Sequence, residues 1–423
     1  MRLFPLFTAF FSGPHRYGAA LLACVTLVAV HAAPFIPAQD SEVVERLPLS
    51  ATDPSVRRLD SLRKQLAARP DDASLRVEIA RRYFDLSMAQ GDPRYVGYAS
   101  AAIAPLATSA AGNADYWLVR GMLQQYTHDF AGALASLARA SELAPQSPEP
   151  FSWRSAIFMV QARYPEAQAE CTRMAPMVEP LVAVGCATYV RAANGDLGGS
   201  FASLRQAIAA APQASPELRV WAYTRVAEMA LRLQRNDLAA EFFEQALKLG
   251  VTDQFLLGAY ADYLLQRQRP REVIQLLADW ERSDVLLLRL ALAGRAANDS
   301  RAEPWARQLR ERFEAAARRG DRLHEQEAAR FELDIERNPA RALPLAVRNY
   351  QVQKEPRDAE ILLRVADAAK DLQAAKPALA WLQSSGYEDP RLAEIAKRLT
   401  ALPAPGASAA AGAATGGVGA KTK

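Results

Sequence analysis

The sequence predicts an all-α protein, a right-handed superhelical solenoid of helix–turn–helix units. Three observations predict it. Half of the 423 residues are apolar, with Ala, Leu, Arg, Glu and Gln dominant and the Val, Ile and Thr runs of strands scarce. Apolar residues recur at helical spacing from about Arg57 to Leu399. One pattern of small, aromatic and proline residues also returns at a fixed period, the mark of stacked similar units.

The N-terminus reads as an export signal. Arg2 and Arg16 are the only charges in the first 32 residues, and Tyr17 to Val30 is uncharged and apolar. Val30-His31-Ala32 then offers small side chains where a signal peptidase cuts, so cleavage is expected after Ala32, leaving a periplasmic chain without a membrane span. The apolar run falls short of the ~20 residues that cross a bilayer. The alternative is a stretch reaching Ala38 that stays uncleaved as an inner-membrane anchor. Leu21-Leu22-Ala23-Cys24 has the form of a lipoprotein box. Apolar and small residues follow Cys24 where a lipidated cysteine needs a polar tether, so lipidation is not expected. Residues 33–56 contain prolines and acids and read as an extended leader.

Charge excludes some partners. Lys and Arg number 51 against 47 Asp and Glu, a net +4, with no clustered positive field of the kind nucleic acid or an anionic membrane selects. The Arg-rich stretch from Arg307 to Arg322 carries Glu311 and Glu314 at helical spacing and reads as a solvated, ion-paired face.

The repeat is clearest from Ala114 onward. Trp117, Gly121, Ala133, Leu137, Ala140 and Pro145 occupy the fourth, eighth, twentieth, twenty-fourth, twenty-seventh and thirty-second places of a unit of about 34 residues. Small residues at the eighth, twentieth and twenty-seventh places let helices approach closely, and the proline stops the second helix. This spacing resembles the tetratricopeptide repeat family. Pro70 sets an earlier unit at Ala73 (Ile79, Ala80, Tyr83), with an insertion at Gly91-Asp92-Pro93. Later units begin at Pro148 (Phe151, Ser155, Phe158, Ala167, Cys171), near Leu181 (Leu204, Ala207, Pro212), near Val220 (Ala227, Phe243, Ala246) and at Gln254 (Leu257, Ala261, Leu264, Leu277, Trp280). Clear repeats are expected over 57–280, beginning with a capping helix that carries Leu59, Leu62 and Leu66. Degenerate ones follow over 281–400, including a late unit set by Pro356 with Leu362, Ala366 and Ala378. About eight to nine hairpins result. Residues 401–423 read as a disordered tail, small, Gly-rich and without large apolar residues from Ala404 onward.

No catalytic constellation emerges, and neither an enzyme nor a cofactor or metal is expected. Beyond the signal only His128 and His324 occur, nearly two hundred residues apart, with His128 read as an exposed turn residue. No Walker loop, HExxH or strand-linked GxGxxG occurs. Gly195-Asp196-Leu197-Gly198-Gly199 falls where the repeat turns between helices and reads as a turn rather than a phosphate loop. Asp71-Asp72 after Pro70 reads as a helix N-cap. Trp153 lies outside the core places of its unit.

The resemblance implies instead a groove lined by the first helix of every unit, with side chains at the second, fifth, ninth, twelfth and thirteenth places facing a partner. Carried onto this sequence these include Arg81, Met122, Tyr126, Tyr189, Trp221, Glu228, Arg232, Asp262 and Gln266. Tyr, Trp, Met and Arg are enriched at protein interfaces. The expected function is a non-catalytic exported scaffold or adaptor that binds a protein or peptide, in envelope assembly or secretion; the alternative is an envelope glycan-binding module. The same register puts Cys171 on the second helix of one unit and Cys186 on the first helix of the next. They are either joined in a disulfide or two buried thiols.

Overall fold

The computed structural model describes Gln39 and residues 54–402, and every described element is helical. The expected export signal, most of the leader and the tail lie outside the described residues. A lone helix, α1 (Pro54–Ala68), begins three residues before Arg57 because Pro54 serves as its first residue, where a missing N–H costs nothing.

Nine helical hairpins follow among the described residues. They are α2 (Ala73–Gln90) with α3 (Arg94–Ile103), α4 (Ala114–Tyr126) with α5 (Phe130–Leu143), and α6 (Glu149–Val160) with α7 (Tyr164–Met174). Next come α8 (Pro180–Ala193) with α9 (Leu197–Ala210), α10 (Pro216–Arg232) with α11 (Asn236–Leu247), and α12 (Gln254–Gln266) with α13 (Pro270–Leu276). The last three are α14 (Asp284–Ala297) with α15 (Ala302–Arg318), α16 (Glu325–Asp334) with α17 (Pro339–Val352), and α18 (Pro356–Ala369) with α19 (Leu372–Ser385); α20 (Pro390–Thr400) closes the series.

Local chemistry explains where these helices start and stop. Asp72 caps α2 by accepting from Leu75 N at 3.1 Å, and Asn113, Asp129, Asp196, Asp253, Asn338 and Asp371 cap later helices in the same way. Each hairpin turns through one left-handed residue: Gly91, His128, Ala162, Gly195, Gln234, Gln268, Asn298, Arg337 or Lys370. That corner recurs through the late hairpins, where the residue pattern fades. Backbone geometry outlasts the side-chain signature.

First helices pack on first helices: α2 on α4, α4 on α6, and α8 through α18 in unbroken order. Second helices seldom meet their own kind. The first helices therefore form the inner, concave wall. At the weaker step between α6 and α8, Ser155 Oγ lies 3.6 Å from Cys186 Sγ. Beside it a disulfide joins Cys171 on α7 to Cys186 on α8, with Cα atoms 5.6 Å apart.

The superhelix then meets itself. Gln254 Nε2 at the start of α12 donates to Met88 O in α2 at 3.0 Å, and Lys354 N donates to Val160 O at the end of α6 at 2.7 Å. Trp381 Nε1 on α19 donates to the buried Tyr164 hydroxyl on α7 at 2.9 Å. The later repeats thus lie against the inter-helix corners of the earlier ones. No described helix is long and apolar enough to cross a membrane.

Candidate functional site: the inner wall

The residues placed on the wall by the repeat register meet different fates. Met122 is 2 % exposed and belongs to the core with Phe84, Phe130 and Leu137, so it presents no surface to a partner. The reason lies between units: Met122 falls inside the apolar cluster shared by α2 to α6. Tyr126 is half-buried, edge-on to Phe84 at 6.4 Å, and burial pushes its hydroxyl pKa up. Arg81 forms a bidentate ion pair with Glu149 at the start of α6. Gln266 is exposed at the end of α12. Trp153 also points into the wall, edge-on to Phe84 at 5.5 Å, as a packing residue.

Tyr189, Trp221, Glu228 and Arg232 gather in one stretch. Trp221 lies over Gly185 so closely that a Cβ there would come within 2.4 Å of its ring, so only glycine at that place of α8 admits it. The Arg225 guanidinium sits 4.8 Å from the Tyr189 ring and donates to Glu228 at 2.7 Å. Arg232 donates to Ala192 O at 2.6 Å and to Glu388 O at 2.8 Å, and its guanidinium sits 3.7 Å from the centre of the Tyr387 ring. Arg232 is therefore engaged by its own chain.

Asp262 anchors a charged relay. It accepts from Arg289 on α14 at 2.5 Å and from Arg330 on α16 at 2.8 Å. Burial alone would raise its pKa, but the two guanidinium groups outweigh it and hold the carboxyl well below the usual range. Arg289 also crosses to Gly258 and donates to its carbonyl at 3.1 Å. Arg330 reaches Asp334, which accepts from Arg364 on α18 at 2.6 Å.

Arg357, at the start of α18, is different. Enclosure by the wall works against its charge, but Glu355, Glu228, Tyr189 and Asp358 nearby outweigh that and raise its pKa. Its side chain forms no ion pair or hydrogen bond among the described residues, and the residue as a whole is exposed. The sequence reading missed Arg225, Arg289, Arg330, Arg357 and Arg364. The register does not reach the last two: with Leu362, Ala366 and Ala378 at the fourth, eighth and twentieth places, the second and ninth places of the late unit are Glu360 and Asp367.

The histidines also depart from expectation. His128 is half-buried rather than exposed, and burial together with the nearby His324 pushes its pKa down. Burial would lower the pKa of His324 as well, but the Glu327 carboxylate facing it outweighs burial and raises it. Two residues nearly two hundred positions apart become neighbours. Among the described residues no group of three or more His, Cys, Asp or Glu is placed to hold a metal.

No family model and no curated protein matches the sequence. Solved structures do resemble the fold. PilW, a type IV pilus biogenesis factor, is 20 % identical over 56 % of this chain and 94 % of its own, with a TM-score of 0.33. A tetratricopeptide repeat protein from Parabacteroides merdae is 14 % identical over 60 % of this chain and 91 % of its own, TM-score 0.38. Yeast Tom70 is 12 % identical over 82 % of this chain and 84 % of its own, TM-score 0.39. The fold is that of tetratricopeptide-type repeat proteins, and the likeness reaches no further than the fold.

Proposed function

We propose that this chain is an exported, non-catalytic adaptor that holds a segment of another protein against its inner wall. The observation that carries the reading is the stretch formed by Tyr189, Trp221, Arg225, Glu228 and Arg357. There two aromatic rings and a guanidinium without a hydrogen-bond or ion-pair partner among the described residues lie on one stretch of the wall. Aromatic and arginine side chains in a concave, partly desolvated site are what protein interfaces use as anchors. Work in a periplasm-like compartment is supported by the signal-like N-terminus and by a disulfide that survives in oxidising surroundings. A place in envelope assembly or secretion is consistent with both.

The test is affinity capture from an envelope extract with the mature chain, beside a variant carrying Trp221→Ala and Arg357→Ala whose circular dichroism matches the parent. A protein retained by the parent and lost by the variant is the expected outcome. Equal recovery by both removes the wall from the function.

Glycan recognition has one observation in its favour. Tyr83, Tyr95 and Tyr98 cluster with ring centroids 5.4–6.3 Å apart, and Tyr98 is 53 % exposed. Titration with envelope saccharides, with Tyr98→Ala as control, separates the two readings.

A further inference from the structure

The place where the superhelix meets itself is densest at the corner between α19 and α20. There Glu388 Oε1 accepts from Leu197 N, a free amide at the start of α9, at 2.9 Å. The Glu388 carbonyl accepts from Arg232, and the Tyr387 ring lies against the same guanidinium. Tyr387 also packs on Trp381 at 5.1 Å and joins the cluster around Tyr189, Cys171 and Cys186. Gly386 faces Gly195, both left-handed, and a Cβ on Gly386 would lie 3.5 Å from Gly195 Cα. Two bare backbones meet at this point of the seam without interlocking side chains.

These contacts differ from those inside the hairpins. They combine two hydrogen bonds, between positions 156 and 191 residues apart, with a guanidinium–ring contact and the apolar packing of the single side chain of Tyr387. Glu388 is itself exposed, and Leu197 opens a helix whose other capping bonds are local. A corner that hangs on one ring and one exposed carboxylate opens at lower cost than the core of a hairpin. Repeat solenoids make this physically easy, because each unit contacts mainly its neighbours and small changes per unit add up along the stack.

We propose that the Ser385–Asp389 corner is a latch: Tyr387 and Glu388 clasp Arg232 and the start of α9, closing the superhelix over the Tyr189–Glu228 stretch of the inner wall. Release frees the Ser385–Asp389 corner, with α20 behind it, from Arg232 and the start of α9 and opens the edge of that stretch to a bulky segment. The latch stands on the seam contacts alone; its bearing on partner binding rests on the adaptor reading above.

Access to the wall measures the latch without any partner. Glu228→Cys introduces the one free thiol of the mature chain, since Cys171 and Cys186 are bonded. Its reaction with a polyethylene glycol maleimide is timed in the parent and in backgrounds carrying Tyr387→Ala or Glu388→Ala. Release should speed labelling by about tenfold and quicken hydrogen exchange at Leu197 to a similar degree, with unchanged circular dichroism. A small maleimide should label all forms alike. Should Tyr387→Ala lose helicity, Glu388→Ala, a change at an exposed corner, carries the test alone. Labelling and Leu197 exchange at the parent's rates in a folded variant overturn the latch. Capture that fails for the Trp221→Ala, Arg357→Ala variant but not for the latch variants leaves the adaptor reading intact, so the two ideas fail separately.

Discussion

Between Ala73 and Leu247 the helices meet through small and aromatic side chains: Gly185 under Trp221, Phe84 against Trp153, Gly121 giving way to Leu137 of its own hairpin. From Asp253 to Ala369 the first helices keep a buried apolar core, with Leu256, Leu264, Leu286, Leu290 and Leu362, and add a charged relay in which Asp262, Arg289, Arg330, Asp334 and Arg364 link four consecutive ones. Both regions build the same hairpin with the same left-handed corner. Burial of apolar surface is non-directional and tolerates many residues of suitable size. A half-buried ion-pair relay is directional, and it loses its balance once one partner is missing. The difference teaches that a repeat can keep its architecture and its apolar core after losing its signature residues, with a charged relay added along the wall.

That contrast can be broken most directly at Asp262. Asp262→Ala leaves Arg289, a residue only 8 % exposed, and Arg330 without their shared acid, and should cost on the order of 3–5 kcal/mol in denaturant titration. Because the folded-state pKa of Asp262 is depressed, its contribution is complete above the ordinary value of 3.8 and is lost as pH falls through the lower folded-state value. The variant should lose that part of the acid dependence. A loss no larger than that of a surface pair would make the charged wall ornamental.

In the earlier region, reduction or Cys171→Ala with Cys186→Ala should cost about 3 kcal/mol for a loop of 15 residues. Thiol titration of the denatured, unreduced chain checks the bond itself; two reactive thiols would remove it. Gly121→Ala should follow at about 1–3 kcal/mol, since the new Cβ would lie 2.7 Å from Leu137 Cγ and 3.3 Å from Ala133 O. Gly198→Ala, facing open space within α9, should be neutral or stabilise by up to ~1 kcal/mol. If both glycines responded alike, close helix approach would not be what the fingerprint residues provide. Smallest of all, Glu272→Ala removes the solvated pair with Arg269 and should shift stability by less than about 0.5 kcal/mol. It calibrates how much a pair is worth off the wall.

The fold was legible because its units are local. A helix needs apolar residues at helical spacing, a cap such as Asp129 and a corner such as Gly195, all within one stretch of chain. The register therefore carried the hairpin reading as far as Trp280, and helical periodicity alone carried it onward to Leu399. Met122 shows the limit. Its place in the unit faces the wall, yet the helices on either side bury it, and no pattern within one unit reports how closely its neighbours pack. Arg357 and Arg364 fall outside the wall places of a late unit whose fingerprint had faded. Arg289 and Arg330 were not within reach, because their meaning comes from Asp262.

The sequence by itself determined the helical class, the hairpin repeat, the caps and the positions of both cysteines, since these follow from spacings inside one or two units. Only the tertiary structure decided which wall residues stay open, that His128 neighbours His324, and that Tyr387 and Glu388 clasp Arg232 and Leu197. Such contacts depend on the small rotation from each unit to the next. Summed over several units, that rotation sets where distant corners meet, and no short stretch of residues encodes the sum.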